Sequence, residues 1–227
     1  MEKDVILKIR VDLSGQMSDA SYDILIGSHI TCGCESIPDD KNTLDAHAGD
    51  GIEEAIKTIS INGWVCTVTT EMVSGLYGSL LNNSLKRVSV ESFIIVLPDG
   101  EGTKSMKYLS YLYDKLVENR FERGQAIIAF GGVIGDFTGF AAVTYLREVN
   151  FIQIPTTLLS DVDSIVGGKT GIDHPGDKNL IRAFYRPKCV IIDVDLLGTL
   201  EYRELKNGFA EVIKYGAAID REFFEYL

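Results

Sequence analysis

The strongest constraint on the fold is the alternation of short β-rich runs with helical patterns along the middle of the chain. Most of the β-rich runs are apolar and β-branched, which is typical of strands buried on both faces. Helical periodicity separates the later runs, at Ser74 to Lys86, Lys104 to Asn119 and Asp136 to Tyr145. This alternation predicts an α/β fold, a mainly parallel sheet with flanking helices. The predicted strands are Val5 to Leu13, Ser21 to Ile26, Val65 to Thr69, Phe93 to Leu97, Ala126 to Phe130, Phe151 to Ile154 and Val190 to Val194.

Length and charge exclude several classes of function. A chain of 227 residues with 45% hydrophobic side chains can bury an ordinary core, in one large domain or two small ones. The formal net charge of −11 argues against nucleic acid or an anionic membrane as a partner, because both need clustered positive charge. No apolar run approaches the length of a membrane span and no secretory signal is evident, so we predict a cytoplasmic protein.

The cysteines give no sign of a zinc site or a disulfide framework. Cys32 and Cys34 are close together, but Cys66 and Cys189 stand alone, so zinc-site spacing is absent and free thiols are expected. These first two cysteines belong to an insertion-like segment, residues 31–62, which ends in a short amphipathic helix from Ile52 to Ile59. The last segment, Tyr202 to Leu227, is helical by periodicity.

Two turns that follow predicted strands carry glycines. Parallel α/β sheets bind ligands at the carboxyl ends of their strands, so these turns are where chemistry is expected. The first runs from Asp99 to Lys104, and its two glycines allow close approach to the backbone, although a plain strand-to-helix turn is the favoured interpretation when this segment is taken alone. The second, Gly131 to Asp136, lies between an apolar strand and a helix, the context that receives a pyrophosphate. Phe130 stands where a full dinucleotide fingerprint needs glycine, and a structural glycine turn explains the second turn equally well.

Glycines, lysines and hydroxyl side chains are concentrated in the segment that follows Ile154. Such residues supply exposed N–H groups, point charges and hydroxyls to phosphate and to a cofactor's polar groups. A solvated loop with incidental charges is the less favoured interpretation. The motifs are Pro155-Thr156-Thr157-Leu158-Leu159, Asp163-Ser164, Val166-Gly167-Gly168-Lys169-Thr170-Gly171, Asp173-His174-Pro175 and Lys178-Asn179.

With these motifs the chain resembles the 3-dehydroquinate synthase family of the sugar-phosphate cyclases. The resemblance is dense from Phe93 to Gly216 and absent over residues 31–62. It rests on the motifs above together with Gly132-Val133-Ile134-Gly135-Asp136, Tyr145-Leu146-Arg147 and Gly208-Phe209-Ala210-Glu211-Val212-Ile213-Lys214-Tyr215-Gly216.

The resemblance implies an NAD-dependent, metal-assisted lyase. Members of the family have a Rossmann-like N-terminal domain and a helical domain, with NAD and zinc or cobalt in the cleft between them. The substrate is a small sugar acid phosphate, 3-deoxy-D-arabino-heptulosonate 7-phosphate. Transient oxidation by NAD, phosphate elimination, return of the hydride and an aldol closure yield 3-dehydroquinate, in the shikimate pathway to chorismate and the aromatic amino acids.

The resemblance also assigns residues. Glu211 is the implied metal ligand, although a Glu/Lys pair at the spacing of Glu211 and Lys214 is usually a solvated surface pair. The implied catalytic and substrate contacts are Asp163, Lys169, Arg147, Asn179 and Lys214. For Arg147 taken alone, a structural ion pair is equally compatible with the sequence. The implied NAD contacts are Asp99, Gly100, Glu101, Lys104, Gly132, Val133, Ile134, Gly135, Asp136, Thr156, Thr157, Lys169, Lys178, Leu196, Leu197, Gly198 and Thr199.

The chain departs from the family pattern in ways that leave alternatives open. The family's other two metal ligands are downstream histidines, and no histidine follows His174. We therefore expect residues 1–200 to form the NAD-binding domain and residues 201–227 to begin a truncated helical domain. Acidic and amide groups that would hold the adenosine are replaced by Thr70 and Met72.

Three functional hypotheses follow from this pattern. The first is a 3-dehydroquinate synthase, active as a homodimer or when a helical-domain chain completes it. The second is an inactive NAD-binding remnant or interaction module that keeps the fold. The third is another sugar-phosphate cyclase. A metal is needed by the enzymes and not by the module.

Overall fold

A computed structural model of the chain describes residues 6–13, 21–31, 50–59, 61, 63–165 and 167–227. The strands are β1 (Leu7–Val11), β2 (Tyr22–Gly27), β3 (Val65–Thr70), β4 (Ser92–Leu97), β5 (Ala126–Phe130), β6 (Asn150–Ile154), β7 (Lys169–His174), β8 (Asp177–Phe184) and β9 (Cys189–Asp193). The α-helices are α1 (Asp50–Ile59), α2 (Glu71–Val73), α3 (Ser79–Arg87), α4 (Met106–Glu118), α5 (Ile134–Thr144), α6 (Tyr202–Ala218) and α7 (Arg221–Tyr226). Short π-helical turns span Ser74–Gly78 and Ser160–Ser164, and 3-10 turns span Glu101–Thr103, Tyr145–Arg147 and Val194–Thr199.

Seven strands form one mostly parallel sheet in the order β1-β2-β9-β6-β5-β3-β4. Strand β3 pairs with β4 on one side and with β5 on the other, so the chain changes direction across the sheet at β3. All neighbouring pairs are parallel except β1 with β2. The predicted fold class is confirmed, and each of the seven predicted strands forms with its ends within two residues of expectation.

The core lies on both faces of this sheet, as the continuous apolar strands predict. Every residue of β5 is buried. Its Ile127 and Ala129 pack on the side of α4 and α5, whereas Ile128 and Phe130 pack on the side of α1 and α3. Complete burial of a side chain of isoleucine size stabilises the fold by about 1.5–3 kcal/mol, so this central strand anchors both layers.

Strands β7 and β8 form a separate antiparallel hairpin that the sequence analysis did not predict. Glycines and charges hide the strand pattern there, because only one side of the hairpin faces the core. Ile172 is fully buried, and residues of β8 are alternately exposed. The hairpin packs on α5, where a Cβ at Gly139 would lie 2.5 Å from Cγ2 of Thr170. Glycine at this position therefore permits the close approach of helix and hairpin.

The two edges of the sheet differ in charge. Edge strand β1 carries Lys8 and Arg10, both of which form ion pairs with the buried Asp23 of β2. Edge strand β4 has the sequence Ser-Phe-Ile-Ile-Val-Leu and carries no charge, and its Ile94 and Val96 are exposed. Among the described strands, nothing pairs with the outer side of β4. A groove of about 370 Å³ lies between β4 and α3.

The structure also tests several smaller predictions. Helix α1 confirms the amphipathic helix predicted from Ile52 to Ile59. Cys66 and Cys189 are free and buried, and burial raises the pKa of both thiols, that of Cys189 to about 12. Cys32, Cys34 and most of the insertion-like segment lie outside the described residues. Within the described part of the chain, no helix has the length and apolar character needed to cross a membrane.

We predict that Gly139→Ala destabilises the protein by ~1–3 kcal/mol, because the new methyl group overpacks the contact between α5 and the hairpin. Urea unfolding measures this change. Gly75→Ala is the matched control, since nothing lies within 4 Å of a Cβ at Gly75, and it should be neutral or slightly stabilising. Equal stability of the two variants would contradict the proposed packing role of Gly139.

Candidate active site

The loops that follow parallel strands open at one edge of the sheet. In doubly wound sheets a crevice forms there at the point where the strand order reverses, and ligands bind in it. Here the reversal lies between β3 and β5, so the turns after Thr70 and Phe130 border the crevice. The turns after β4 and β6 lie on either side of these two. Three of these four turns carry predicted site residues: Asp99 to Lys104 after β4, Gly132 and Val133 after β5, and Thr156 and Thr157 after β6.

The glycine turn after β5 consists of Gly131 and Gly132. Gly131 has a φ of +145°, which favours glycine, and its N–H donates to the carbonyl of Ile154 at 3.0 Å. Phe130 is the last residue of β5 and is fully buried, with its ring 6.3 Å from that of Tyr77. A side chain at position 130 therefore belongs to the core. Of the two glycines, Gly131 is buried and Gly132 is half-buried.

Gly132 brings the turns after β5 and β6 into contact. A Cβ at Gly132 would lie 3.0 Å from Oγ1 of Thr157, so a larger residue would force the threonine side chain to shift. The Thr157 hydroxyl is in turn 2.8 Å from the hydroxyl of Ser160. The next residue, Val133, is exposed, and α5 begins at Ile134. Free N–H groups at a helix start attract anions, so this turn can receive a phosphate group.

Lys104 forms the electrostatic centre of the crevice. Its side chain is only 6% exposed, and its ammonium donates to Oδ2 of Asp136 at 3.0 Å and to Oδ1 of Asn179 at 3.1 Å. Glu101 lies 3.8 Å away. These four residues come from the loop after β4, the first turn of α5 and the hairpin. The structure thus brings together three implied NAD contacts and one implied substrate contact.

The remaining implied cofactor residues flank this cluster. Both Asp99 oxygens accept the N–H of Met72, at 3.1 and 3.2 Å, and nothing lies within 4 Å of a Cβ at Gly100, which has a φ of +95°. Thr199 has its hydroxyl 2.5 Å from that of Tyr77. Leu196 is buried in the core, so a ligand could touch only its backbone. Lys169 and Lys178 are exposed on the hairpin.

A second group of implied residues gathers where α6 docks. A Cβ at Gly208 would lie 2.6 Å from the side chain of Leu158, so the helix backbone contacts the turn after β6. Glu211 and Lys214 follow Gly208 within the next two turns of α6. There α6 lies next to the π-helical turn that carries Asp163. Glu211 and Lys214 form an ion pair, and this hydrogen bond raises the pKa of Lys214, as does the charge of Asp163 to a smaller degree.

Arg147 is not part of either group. It follows α5, which runs back from the crevice, so about 16 Å of helix separates Arg147 from the glycine turn. Its corner is strained, because Leu146, Arg147 and Glu148 all have positive φ, at 47°, 60° and 82°. The Arg147 carbonyl accepts from Arg123 at 3.2 Å. Within one chain, Arg147 therefore lies near the amino ends of the parallel strands, whereas the other implied contacts lie near their carboxyl ends.

Sequence reasoning missed a buried pair of carboxyl groups beneath the π-helical turn. Asp161 lies on this turn and Asp193 ends β9, and no hydrogen-bond partner is present for Oδ1 of Asp161 among the described residues. Burial raises the pKa of Asp161 to about 7, with a further contribution from Asp193. Burial raises the pKa of Asp193 as well. No local pattern indicates this pair, because pairing of β6 with β9 brings the two segments together.

Comparison with known proteins identifies the family. A model of the N-terminal domain of 3-dehydroquinate synthase matches residues 94–207. The chain belongs to the 3-dehydroquinate synthase family. It is 47% identical over 193 residues to the 3-dehydroquinate synthase of Citrifermentans bemidjiense, a match that covers 83% of this chain and 53% of the relative. It is 55% identical over 161 residues to that of Neisseria meningitidis, which covers 70% and 45%.

Solved structures give the same picture of the fold. The 2-epi-5-epi-valiolone synthase of Streptomyces hygroscopicus subsp. jinggangensis 5008, solved with NAD⁺ and Zn²⁺, is 26% identical and matches with a TM-score of 0.75. The match covers 91% of this chain and 52% of that protein. The chain thus spans about half the length of the 3-dehydroquinate synthases and cyclases that it matches.

The metal that the 3-dehydroquinate synthase family implies does not fit the described residues. Residues 6–13, 21–31, 50–59, 61, 63–165 and 167–227 contain no group of three histidine, cysteine or acidic side chains arranged to hold an ion. Glu211 is the implied ligand, and its carboxylate is engaged by Lys214. One carboxylate does not fix a zinc or cobalt ion.

We predict that the stability of the protein, relative to that of Asp161→Asn, falls as the pH rises from about 4 to 7. In the unfolded chain Asp161 ionises near 3.8, whereas the folded protein keeps its proton until about 7, so the folded state holds the extra proton in this window. The difference should reach a few kcal/mol at most, on the order of 1.4 kcal/mol per pKa unit, and stay constant at higher pH. Urea unfolding of both proteins across this range measures it. A difference that does not change with pH would contradict the assignment.

Proposed function

We propose that this chain provides the NAD- and phosphate-binding half of a 3-dehydroquinate synthase, a carbon–oxygen lyase of aromatic amino acid biosynthesis. The observation that carries the proposal is the convergence of Lys104, Asp136 and Asn179 beside the glycine turn, in a chain whose residues 94–207 match the family. Residues 1–200 would form this half, and residues 201–227 would begin the helical domain. A cytoplasmic location remains a prediction.

The proposed cofactor contacts lie around the strand reversal. NAD would accept a hydride from the substrate and return it within one turnover. A pyrophosphate would approach the start of α5 beside half-buried Gly132 and exposed Val133. Asp99 and Glu101 lie on the neighbouring loop, where carboxylates suit the hydroxyl groups of a ribose. Lys104 would supply positive charge while Asp136 and Asn179 hold its ammonium in place.

The proposed substrate is a small sugar acid phosphate, 3-deoxy-D-arabino-heptulosonate 7-phosphate. An acidic protein needs local positive charge to hold such an anion, and exposed Lys169 and Lys178 on the hairpin provide it next to Asn179. Asp163 and Lys214, at the docking site of α6, would face the reacting carbons and exchange protons. Arg147 is left out of the contacts proposed within one chain, because it lies at the far edge of the sheet.

An NAD-binding module without lyase activity is the second candidate. The ion pair between Glu211 and Lys214 favours it, because that pair withdraws both residues from metal binding and proton transfer. The two candidates differ in what completes the site. In the first, a second copy or a helical-domain chain supplies further groups; in the second, no such partner restores turnover.

We predict saturable NAD binding by the purified chain, measured by calorimetric titration, and at least a tenfold loss of affinity when Lys169 and Lys178 are both changed to alanine. Loss of two charge-assisted contacts to phosphate accounts for this magnitude, about 1.4 kcal/mol or more. The matched control changes exposed Lys86 and Lys188 to alanine. Lys86 lies in the last turn of α3, before β4, and Lys188 precedes β9, so both lie near the amino ends of the strands, away from the crevice. The control should bind NAD as the unmodified chain does.

Other outcomes would decide between the candidates. Absence of NAD binding would refute both of them. If NAD binds, phosphate release from the heptulosonate phosphate is measured with NAD and Co²⁺ or Zn²⁺, with and without the separate helical half of a homologous synthase. Phosphate release supports the lyase. Continued inactivity of the completed pair, with NAD still bound, supports the module.

A further inference from the structure

Asp173 lies where the β7–β8 hairpin meets the loop after β4. The hairpin register shifts between Ile172 and His174, so Asp173 leaves the regular ladder. Its backbone pairs instead with Ser105 in an isolated parallel bridge, and its N–H donates to the carbonyl of Lys104 at 2.7 Å. Irregularities of this kind re-aim a residue within a sheet. Asp173 is therefore tied by its main chain to the residue that forms the electrostatic centre of the crevice.

The side chain of Asp173 holds a second member of the same cluster. Its Oδ1 accepts the backbone N–H of Asn179 at 2.6 Å, across the hairpin. Asn179 has a φ of +53°, a left-handed conformation that asparagine tolerates better than most residues but at a cost of about 1 kcal/mol. Arg182 also donates to the carbonyl of Asn179. A well-placed hydrogen bond contributes about 0.5–1.5 kcal/mol, which is enough to offset the strain.

These two contacts fix the geometry around the Lys104 ammonium. Asn179 in its left-handed conformation has its Oδ1 3.1 Å from Nζ of Lys104, and Oδ2 of Asp136 lies 3.0 Å from the same atom. Asp173 thus holds both partners of the Lys104–Asn179 bond, one by its N–H and the other by its carboxylate. Without the carboxylate, Asn179 would relax toward ordinary strand conformation and its amide oxygen would turn away.

We infer that Asp173 is a positioning residue, which sets the direction of the Lys104 ammonium and thereby the affinity of the crevice for a dinucleotide. This inference rests on the cofactor-binding role proposed above. It assigns no contact between Asp173 and the ligand, because the residue acts through Asn179 and Lys104. The property that matters is an acceptor oxygen at Oδ1, rather than the negative charge.

The test compares Asp173→Ala with Asp173→Asn. The alanine variant loses the acceptor, and we expect its dissociation constant for NAD to rise roughly tenfold, the effect typical of removing an outer support of a binding group. The asparagine variant keeps an acceptor oxygen and should stay within about twofold of the unmodified chain, because a neutral acceptor still holds the N–H. Asp177→Ala is the matched control: Asp177 is exposed in the same hairpin, and its Oδ1 accepts the N–H of Lys178 at 2.8 Å rather than the N–H of Asn179.

A second measurement reads the positioning without a ligand. Hydrogen exchange at the backbone N–H of Asn179 should accelerate in Asp173→Ala. It should remain slow in Asp173→Asn and Asp177→Ala. Equal weakening by alanine and asparagine would overturn the inference, as would an unchanged affinity or an unchanged exchange rate in Asp173→Ala. If the unmodified chain fails to bind NAD, the proposed function fails, and the exchange rates alone then decide whether Asp173 positions Asn179.

Discussion

The candidate site depends on the charge balance around one buried ammonium group. Lys104 is almost inaccessible to solvent, and a buried cation is tolerated only when acceptors surround it. Asp136 provides one acceptor from the start of α5, and Asn179 provides the other from the hairpin that packs on this helix. Because the Lys104 ammonium needs hydrogen-bond acceptors, it couples the loop after β4, the start of α5 and the hairpin. Each of these segments must be placed correctly for the others to be stable.

The parallel sheet makes this coupling possible. Because β3, β4, β5 and β6 all run in the same direction, the loops that follow them meet at one edge. Their sequences can then differ in chemistry without changing the fold: glycines after β5, acidic groups after β4, and hydroxyl groups after β6. Close contacts such as Gly132 with Thr157 connect one loop to the next, so that the backbone itself forms the floor of the crevice.

Much of the fold was predictable from sequence, because strand burial is a local property that apolar runs reveal. The hairpin was not, since its Lys169, Arg182 and neighbouring glycines mask the period of two that a half-exposed strand should show. Phe130 was predicted correctly as the last residue of a strand. What the sequence did not show is that its buried ring lies beside that of Tyr77.

Local motifs also predicted the glycine turn and the acidic residue at the start of α5, but contacts between distant segments needed the structure. The partners of Lys104 are 32 and 75 residues away in sequence, and no periodicity links them. The pairing of Asp161 with Asp193 depends on which strands are neighbours. The position of Arg147 was within reach of topology alone, because a helix that follows a parallel strand returns the chain to the opposite edge.

The difference in charge between the edge strands β1 and β4 affects how the chain can misassemble. Charged side chains on β1 oppose the addition of a foreign strand, whereas β4 offers six uncharged residues with an open row of backbone groups. A strand of this composition is a template for intermolecular pairing, above all while the helices that flank it are still unfolded. Misassembly at high concentration would therefore begin at β4. Pairing of β4 with another chain would occupy the strand that precedes Asp99 before the crevice has formed.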